Sequence, residues 1–244
     1  MSQYNFPDER TLGQKRVAAI VPIREGSKGL KNKNMRLFMG LPLYIHAVRQ
    51  GLVVADEVFV TTDIRSIAAD QLPEGCHLVE RSAELATDDA SMADVILDLI
   101  KQRNLYSYTL LLLQATSPLR LVKDISAALS LYYSGDFNMV MSTVRVPSSR
   151  LKSGFILGNQ FTPLSLPEHC FMNRQELPPI YAPNGAVYVI NASCMASNKG
   201  FPQFNIGATV MPESRSLDID SEEDFLAAED AAKLQASTSS DKQS

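Results

Sequence analysis

Apolar residues in this chain fall into short continuous runs, separated by stretches in which they recur every three or four positions. Val17–Ile23 (VAAIVPI) is a continuous apolar run that predicts a buried strand; Glu57–Thr62 (EVFVTT) predicts the next strand, Tyr108–Leu113 (YTLLLL) a third buried one and Asn138–Val144 a fourth. The stretch opened by Pro42 places Leu43, Ala47 and Val48 on one face, and Ala90–Gln102 does the same with Val95, Ile96, Leu99 and Ile100. Both have the spacing of amphipathic helices. Ile64–Ala69 predicts a short helix and Asp124–Tyr132 a longer one. Strands alternating with helices at this spacing imply βαβ units, hence a three-layer α/β fold on a mostly parallel sheet. Functional loops are then expected at the carboxyl ends of the strands.

The pattern changes at Pro147. Residues 147–183 are rich in proline and glycine, hold two short hydrophobic pieces and no long helix, and read as an inserted subdomain. Alternation resumes at Ala186–Ile190, Ile206–Val210 and Leu217–Asp220, which predict three more strands, followed by a helix beginning at Ser221. There Ser221 and Asp224 have the spacing of a capping box. Residues 1–15 form a polar leader without the features of a signal peptide, and 235–244 have almost no apolar content and are expected to be disordered. The folded unit is thus expected over 16–234, with no internal repeat.

Composition narrows the class. The 23 basic and 27 acidic side chains leave a formal charge of −4, which argues against a polymeric nucleic acid or an anionic membrane as partner. Three scattered cysteines, Cys76, Cys170 and Cys194, suit free thiols in a reducing cytoplasm better than disulfides or a zinc site. The average hides two poles, however. Arg24–Arg36 holds five basic residues and one acid, whereas Glu213–Asp230 holds eight acids against Arg215 alone.

The basic pole is the loop Arg24-Glu-Gly-Ser-Lys-Gly-Leu-Lys-Asn-Lys-Asn34, which leaves the first predicted strand. Arg24, Lys28, Lys31 and Lys33, interleaved with Gly26 and Gly29, suit the clustered charge of a triphosphate, because glycine lets backbone N–H groups approach a ligand closely. It is not a Walker A loop, since no GK[ST] follows. The acidic pole contains Asp218-Ile219-Asp220. Two residues apart on a strand, its carboxylates project from one face, and such hard oxygen ligands suit Mg²⁺ bridging to a phosphate. A third polar segment, Gln114-Ala-Thr116-Ser117-Pro118-Leu-Arg120, follows the YTLLLL strand. It offers an amide, two hydroxyls and a forked cation for a pocket floor.

Six ordered segments, IVPIREGSKGLKNKN, the strand ending TTD at Asp63, ERSAELATDDAS, LLQATSPLR, RQELPPIYAPNGAVYVI and LDIDSEEDF, together resemble the acylneuraminate cytidylyltransferases, the CMP-sialic acid or CMP-nonulosonate synthetases. The resemblance covers Val17 to Glu229. It implies a Rossmann-like nucleotidyltransferase fold and a cytoplasmic homodimer with the inserted subdomain reaching into its partner. It also implies Mg²⁺-dependent transfer of CMP from CTP to a nonulosonic acid. The family's phosphate loop falls on Arg24, Ser27, Lys28, Lys33 and Asn34, with Asn34 nearer the nucleoside. Arg81 would face the cytosine, and Ser91 lies in the neighbouring nucleoside-binding turn. Gln114, with Thr116 and Ser117 beside it, would lie near the sugar acid, and Arg174 and Gln175 would meet its carboxylate, across the dimer. Asp218 and Asp220 match the metal-binding DxD, and Arg24, Lys28, Lys33 and Asp220 would carry the catalysis.

The chain departs from the family at Glu25, where glycine or a neutral polar residue is common, at Ala115 in place of proline, and at Ala182 in place of the arginine preceding PNGA. Loss of that cation favours a related acid, such as legionaminic acid or a deaminated sugar, over N-acetylneuraminate. A Kdo-type cytidylyltransferase and a non-catalytic nucleotide-binding relative are the alternatives. His46, His77 and His169 sit outside every motif and receive no role.

Overall fold

A computed structural model of the chain describes residues 16–26, 29–87 and 90–240, which leaves the polar leader and the predicted contacts of Ser27 and Lys28 outside the described residues. The first half contains β1 (Val17–Pro22), β2 (Leu37–Phe38), β3 (Leu41–Pro42), α1 (Leu43–Val54), β4 (Glu57–Thr62), β5 (Cys76–Glu80) and α2 (Met92–Arg103). Then follow β6 (Thr109–Leu112), α3 (Val122–Ser134), β7 (Met139–Val146), β8 (Gly154–Leu157) and β9 (Gln160–Pro163). The chain continues through β10 (Ile180–Asn191), α4 (Ala192–Asn198), β11 (Ile206–Met211) and α5 (Glu222–Ser240).

Seven strands make the main sheet in the order β11-β7-β10-β6-β1-β4-β5. Only β10 runs against its neighbours; β6, β1, β4 and β5 pair in parallel, as do β7 and β11. The mostly parallel α/β expectation is therefore borne out. Strand β1 shows how its sequence produces the layers. Val17, Ala19 and Val21 join a buried cluster with Ala47 and Val48 of α1 and Ile125 and Ala128 of α3. Ala18 and Ile20 point the other way, onto Ile96 and Leu99 of α2 and Met195 of α4. A strand covered on both faces has no solvent-facing row for polar side chains, which is why β1 reads as an unbroken apolar run.

The chain passes from β1 to β4 and β5 on one side, then crosses back to β6 on the other. Strands β1 and β6 therefore flank a topological switch point, where their carboxyl ends leave a crevice.

Three expectations need correction. Ile64–Ala69 is a turn rather than a helix: the Thr62 hydroxyl accepts from Ile64 N at 3.0 Å and the Gln71 side chain from Ala68 N at 3.3 Å, so local side-chain bonds take the donors a helix would use. Leu217–Asp220 joins no sheet. Ile219 N donates to Thr116 O at 2.9 Å and Asp220 N to the Asp224 carboxylate at 3.1 Å, leaving no ladder to form. Helix α5 also runs on to Ser240, past the residue where the fold was expected to end. The capping box does form: Asp224 N donates to Ser221 Oγ at 3.2 Å and Ser221 N to Asp224 Oδ2 at 2.8 Å.

Candidate active site

A third, smaller core sets the geometry of the site. Leu30 of the basic loop, Phe38, Leu43 and Leu119 pack with Ile219 and with Phe225 and Ala228 of α5. Because Leu30 and Ile219 are buried in the same cluster, the polar residues beside each are carried to the same place. The two charge poles meet there. The Lys33 ammonium donates to Ile219 O at 2.6 Å and to Asp220 Oδ1 at 2.9 Å. Arg36 forms a two-pronged pair with Glu222 and lies 4.4 Å from the Phe225 ring centroid. Gly29 presses so closely on the acidic segment that a Cβ there would stand 2.2 Å from Asp220 O.

Beside this contact lies a cleft of about 350 Å³ at the carboxyl ends of β1 and β6, into which Gly29 and Lys33 face from one side. Arg24, Lys33 and Asn34 enter it from the β1 side, and the Asn34 amide is fixed by donating to Arg24 O at 3.2 Å. Arg81, which follows β5, reaches in from the next strands. It is 6% exposed, donates from Nη2 to Thr61 O at 3.1 Å, and keeps an Nε–H with no partner. Burial lowers its pKa, opposed by the charge of Asp63 and reinforced by that of Arg24. Gln114, Thr116, Asp218 and Asp220 line the opposite side.

Asp218 opens onto the cleft, yet the surrounding protein withholds water and pushes its carboxyl above the ordinary aspartate range. A hydrogen bond from Thr116 works against that, and the charge of Asp220 works with it. Two carboxylates facing one cleft are a donor set that suits a hard divalent cation. Among the described residues no group of three or more His, Cys, Asp or Glu is gathered for a metal, so a cation here would need further oxygens from a substrate.

Other predicted residues lie elsewhere. Ser91 caps α2, its hydroxyl accepting from Asp94 N at 3.1 Å, and the next residue, Met92, lines the cleft instead. Ser117 is 1% exposed, behind the cleft, its hydroxyl unpartnered. Arg174 and Gln175 are exposed on the inserted segment and do not line the cleft. Arg120, read as part of a pocket floor, is 1% exposed and buried beneath it. At Glu25 the backbone N–H donates to the Asp63 carboxylate at 2.9 Å, and the residue is exposed.

Gly185 was not among the predicted contacts, although its PNGA segment was recognised. It adopts φ +75°, and a Cβ there would come 2.9 Å from the Gln114 amide oxygen and 3.9 Å from Asp218 Oδ2. Its neighbour Asn184 is buried and receives the Ser142 hydroxyl at 2.6 Å and the Ala186 N–H at 3.2 Å, which holds the irregular part of β10 in place.

A parallel-sheet cleft lined by a basic loop, a buried arginine and paired carboxylates defines a nucleotidyltransferase-like α/β protein. The chain belongs to the cytidylyltransferase family, whose sequence profile matches residues 18–230. It is 32% identical over 219 residues to an N-acylneuraminate cytidylyltransferase of Streptococcus agalactiae serotype V, covering 85% of this chain but only 51% of that protein. The chain thus spans about half the length of that relative. A CMP-N,N'-diacetyllegionaminic acid synthase of Legionella pneumophila is 31% identical over 230 residues, covering 90% of this chain and 97% of that one. Among solved structures, a CMP:2-keto-3-deoxy-manno-octonic acid synthetase complexed with CTP superposes with a TM-score of 0.68 over 90% of this chain and 99% of that one; at 13% identity it speaks for the fold. No helix among the described residues is long and apolar enough to cross a membrane.

Proposed function

We propose that the protein transfers CMP from CTP to the anomeric hydroxyl of a nonulosonic, sialic-acid-like sugar acid, releasing pyrophosphate and supplying a CMP-sugar for surface glycan synthesis in the cytoplasm. The observation that carries this reading is the meeting of Lys33 and Asp220 at 2.9 Å, at the carboxyl end of the strand that leads into the basic loop. It joins a phosphate-binding segment to a metal-binding one within a single nucleotide-sized cleft.

In this reading Arg24, Lys28 and Lys33 neutralise charge on the departing β- and γ-phosphates. Ser27 and Asn34 hold the nucleotide, with Ser91 in the adjoining turn. Arg81, which lines the cleft, would turn its guanidinium to the cytosine carbonyl, a match worth more in a water-poor site than in solvent. Gln114 and Thr116 orient the sugar acid so that its anomeric hydroxyl faces the α-phosphorus, with Ser117 supporting the turn from behind. The rate gain comes from positioning and from charge stabilisation already in place, without a covalent intermediate. Asp218 and Asp220 would hold Mg²⁺, which polarises the α-phosphate when bound.

Arg174 and Gln175, exposed and outside the lining of their own chain's cleft, suit the sugar carboxylate of a neighbouring subunit in a homodimer. Ala182, in place of the arginine expected before PNGA, favours an acid other than N-acetylneuraminate, such as a legionaminic acid. A coupled pyrophosphate assay with CTP and Mg²⁺ over sialic, legionaminic, pseudaminic, deaminated neuraminic and Kdo acids tests the reading. Release with at least one nine-carbon acid supports it. CTP binding without release for any of them overturns it.

A further inference from the structure

Arg120 is a cation with almost no contact with water, at 1% exposure, and its nearest acid is engaged elsewhere. Asp124 pairs in two-pronged fashion with Arg215, Oδ1 to Nη2 at 2.7 Å and Oδ2 to Nε at 2.9 Å. Burial pushes the Arg120 pKa down, opposed by the Asp124 charge. The guanidinium is satisfied chiefly by backbone and by one amide. Its Nη1 donates to Gln114 O at 3.2 Å and to Ala186 O at 2.5 Å, and its Nε donates to Gln50 Oε1 at 2.9 Å. The Gln50 amide returns a bond to Arg120 O at 2.5 Å, while Nη2 has no partner.

A buried cation without a directly paired acid is costly to keep, and an apolar side chain of similar volume would fill the space with less penalty. What the planar fork does that an apolar side chain cannot is tie two carbonyls together. Those carbonyls belong to Gln114, at the end of β6, and to Ala186, next to Gly185 in the irregular part of β10. Gly185 is the residue packed against the Gln114 amide. One guanidinium thus sets the spacing between the two backbone segments that grip the Gln114 side chain beside Asp218. Arg24, Lys33, Asn34 and Arg81 reach the cleft from other elements.

We propose that Arg120 is a positioning residue for the acceptor half of the cleft: through the Gln114 and Ala186 carbonyls it holds the Gln114 amide in the orientation that receives the sugar acid, while leaving CTP binding untouched. The inference rests on the functional reading above for the identity of the acceptor, but the clamp itself can be tested without turnover.

Two variants serve: Arg120→Lys keeps the charge but cannot bridge both carbonyls and risks misfolding, whereas Gln50→Ala, at a half-buried site, removes the Nε acceptor and the return bond that hold the fork in the orientation its two Nη1 bonds need. In ¹⁵N-glutamine-labelled protein, the side-chain amide signal of Gln114, assigned through Gln114→Asn, is expected to be dispersed in the wild type and to collapse towards the solvent-averaged position in Gln50→Ala. Kinetically, the acceptor KM is expected to rise about tenfold or more, the scale of a lost hydrogen bond to a charged group, with the CTP KM within about twofold of wild type. An unchanged Gln114 signal in a folded Gln50→Ala overturns the proposal, as do equal rises in both KM values. If the wild type turns over no sugar acid, the functional reading fails alone, and the Gln114 signal still decides the clamp.

Discussion

Gly29→Ala is the sharpest perturbation of the site, because it adds one carbon at the contact between the basic loop and the acidic segment. The new Cβ would lie 2.2 Å from Asp220 O and 3.3 Å from Asp220 C, both backbone atoms. Restoring ordinary contact requires the two segments to part by about 1 Å. The acidic segment has little freedom to give way: Ile219 is fully buried in the third core and its N–H is held by Thr116 O. The loop must therefore move, taking Lys33 with it, away from Asp220. Overpacking of this kind costs about 1–3 kcal/mol, which for a chain of this size lowers the melting temperature by roughly 2–4 °C per kcal/mol. The catalytic cost is larger, because a displacement near 1 Å in a positioning site costs on the order of 100-fold in rate. Thermal melting, CTP titration calorimetry and pyrophosphate release on the same preparation separate these effects. The expected result is a folded variant, a few degrees less stable, with weakened CTP binding and turnover down about 100-fold. A folded Gly29→Ala with wild-type CTP affinity and turnover would refute the claim that loop and acidic segment must touch.

Asp220→Ala is expected to abolish turnover while circular dichroism and melting stay close to wild type, since the side chain is 79% exposed and Lys33 keeps its bond to Ile219 O; unchanged turnover would remove the metal assignment. Ile219→Ala empties part of the third core and should cost about 2–5 kcal/mol, lowering the melting temperature and turnover together, whereas loss of one without the other would separate that core from the site. His46 has its pKa lowered by burial, with its Nε2 2.8 Å from Phe38 O, so the unfolded chain takes up the proton first. Wild-type stability should therefore fall relative to His46→Gln as the pH drops below about 6.5, and parallel melting curves for the two across pH 5–8 (about the range of histidine titration) would contradict it. Burial pushes the Cys76 thiol up to about 11, so at neutral pH it should resist alkylation until the protein unfolds; rapid labelling of Cys76 in the native state, read by peptide mass, would argue otherwise.

The parts of this molecule that were legible in the sequence are those where burial alone decides. The runs at Val17, Glu57 and Thr109 are strands to within a residue or two, because strands covered by helices on both faces are dominated by apolar side chains. Cleft-lining residues carried by the ends of such strands, Arg24 and Gln114, were legible for the same reason, whereas Arg81 was reached only through the family resemblance, because β5 (Cys76–Glu80), with one buried position, has no apolar run. What escaped the periodicity was set by single hydrogen bonds and close approaches. Asp218 and Asp220 face the cleft from an irregular segment held by Ile219, not from a strand, and alternation reads the same in both cases. Arg120 looked like a pocket cation because sequence shows its charge but not that Gln50 and two carbonyls enclose it. Gly185 and Met92 came from segments whose other residues had already been recognised, and only the fold brings them to the cleft. The overall charge of −4 concealed the most informative feature, two opposite poles that Leu30 and Ile219 bring together.

The central claim is that the sugar acid's own anomeric oxygen attacks the α-phosphorus of CTP. It is tested most directly by supplying the accepted acid with ¹⁸O at its anomeric hydroxyl and reading the product by mass spectrometry. The account predicts one ¹⁸O in the bridging position of the CMP-sugar and none in the pyrophosphate. Pyrophosphate release without a labelled CMP-sugar, or a CMP-sugar from which the label has been lost, would contradict it.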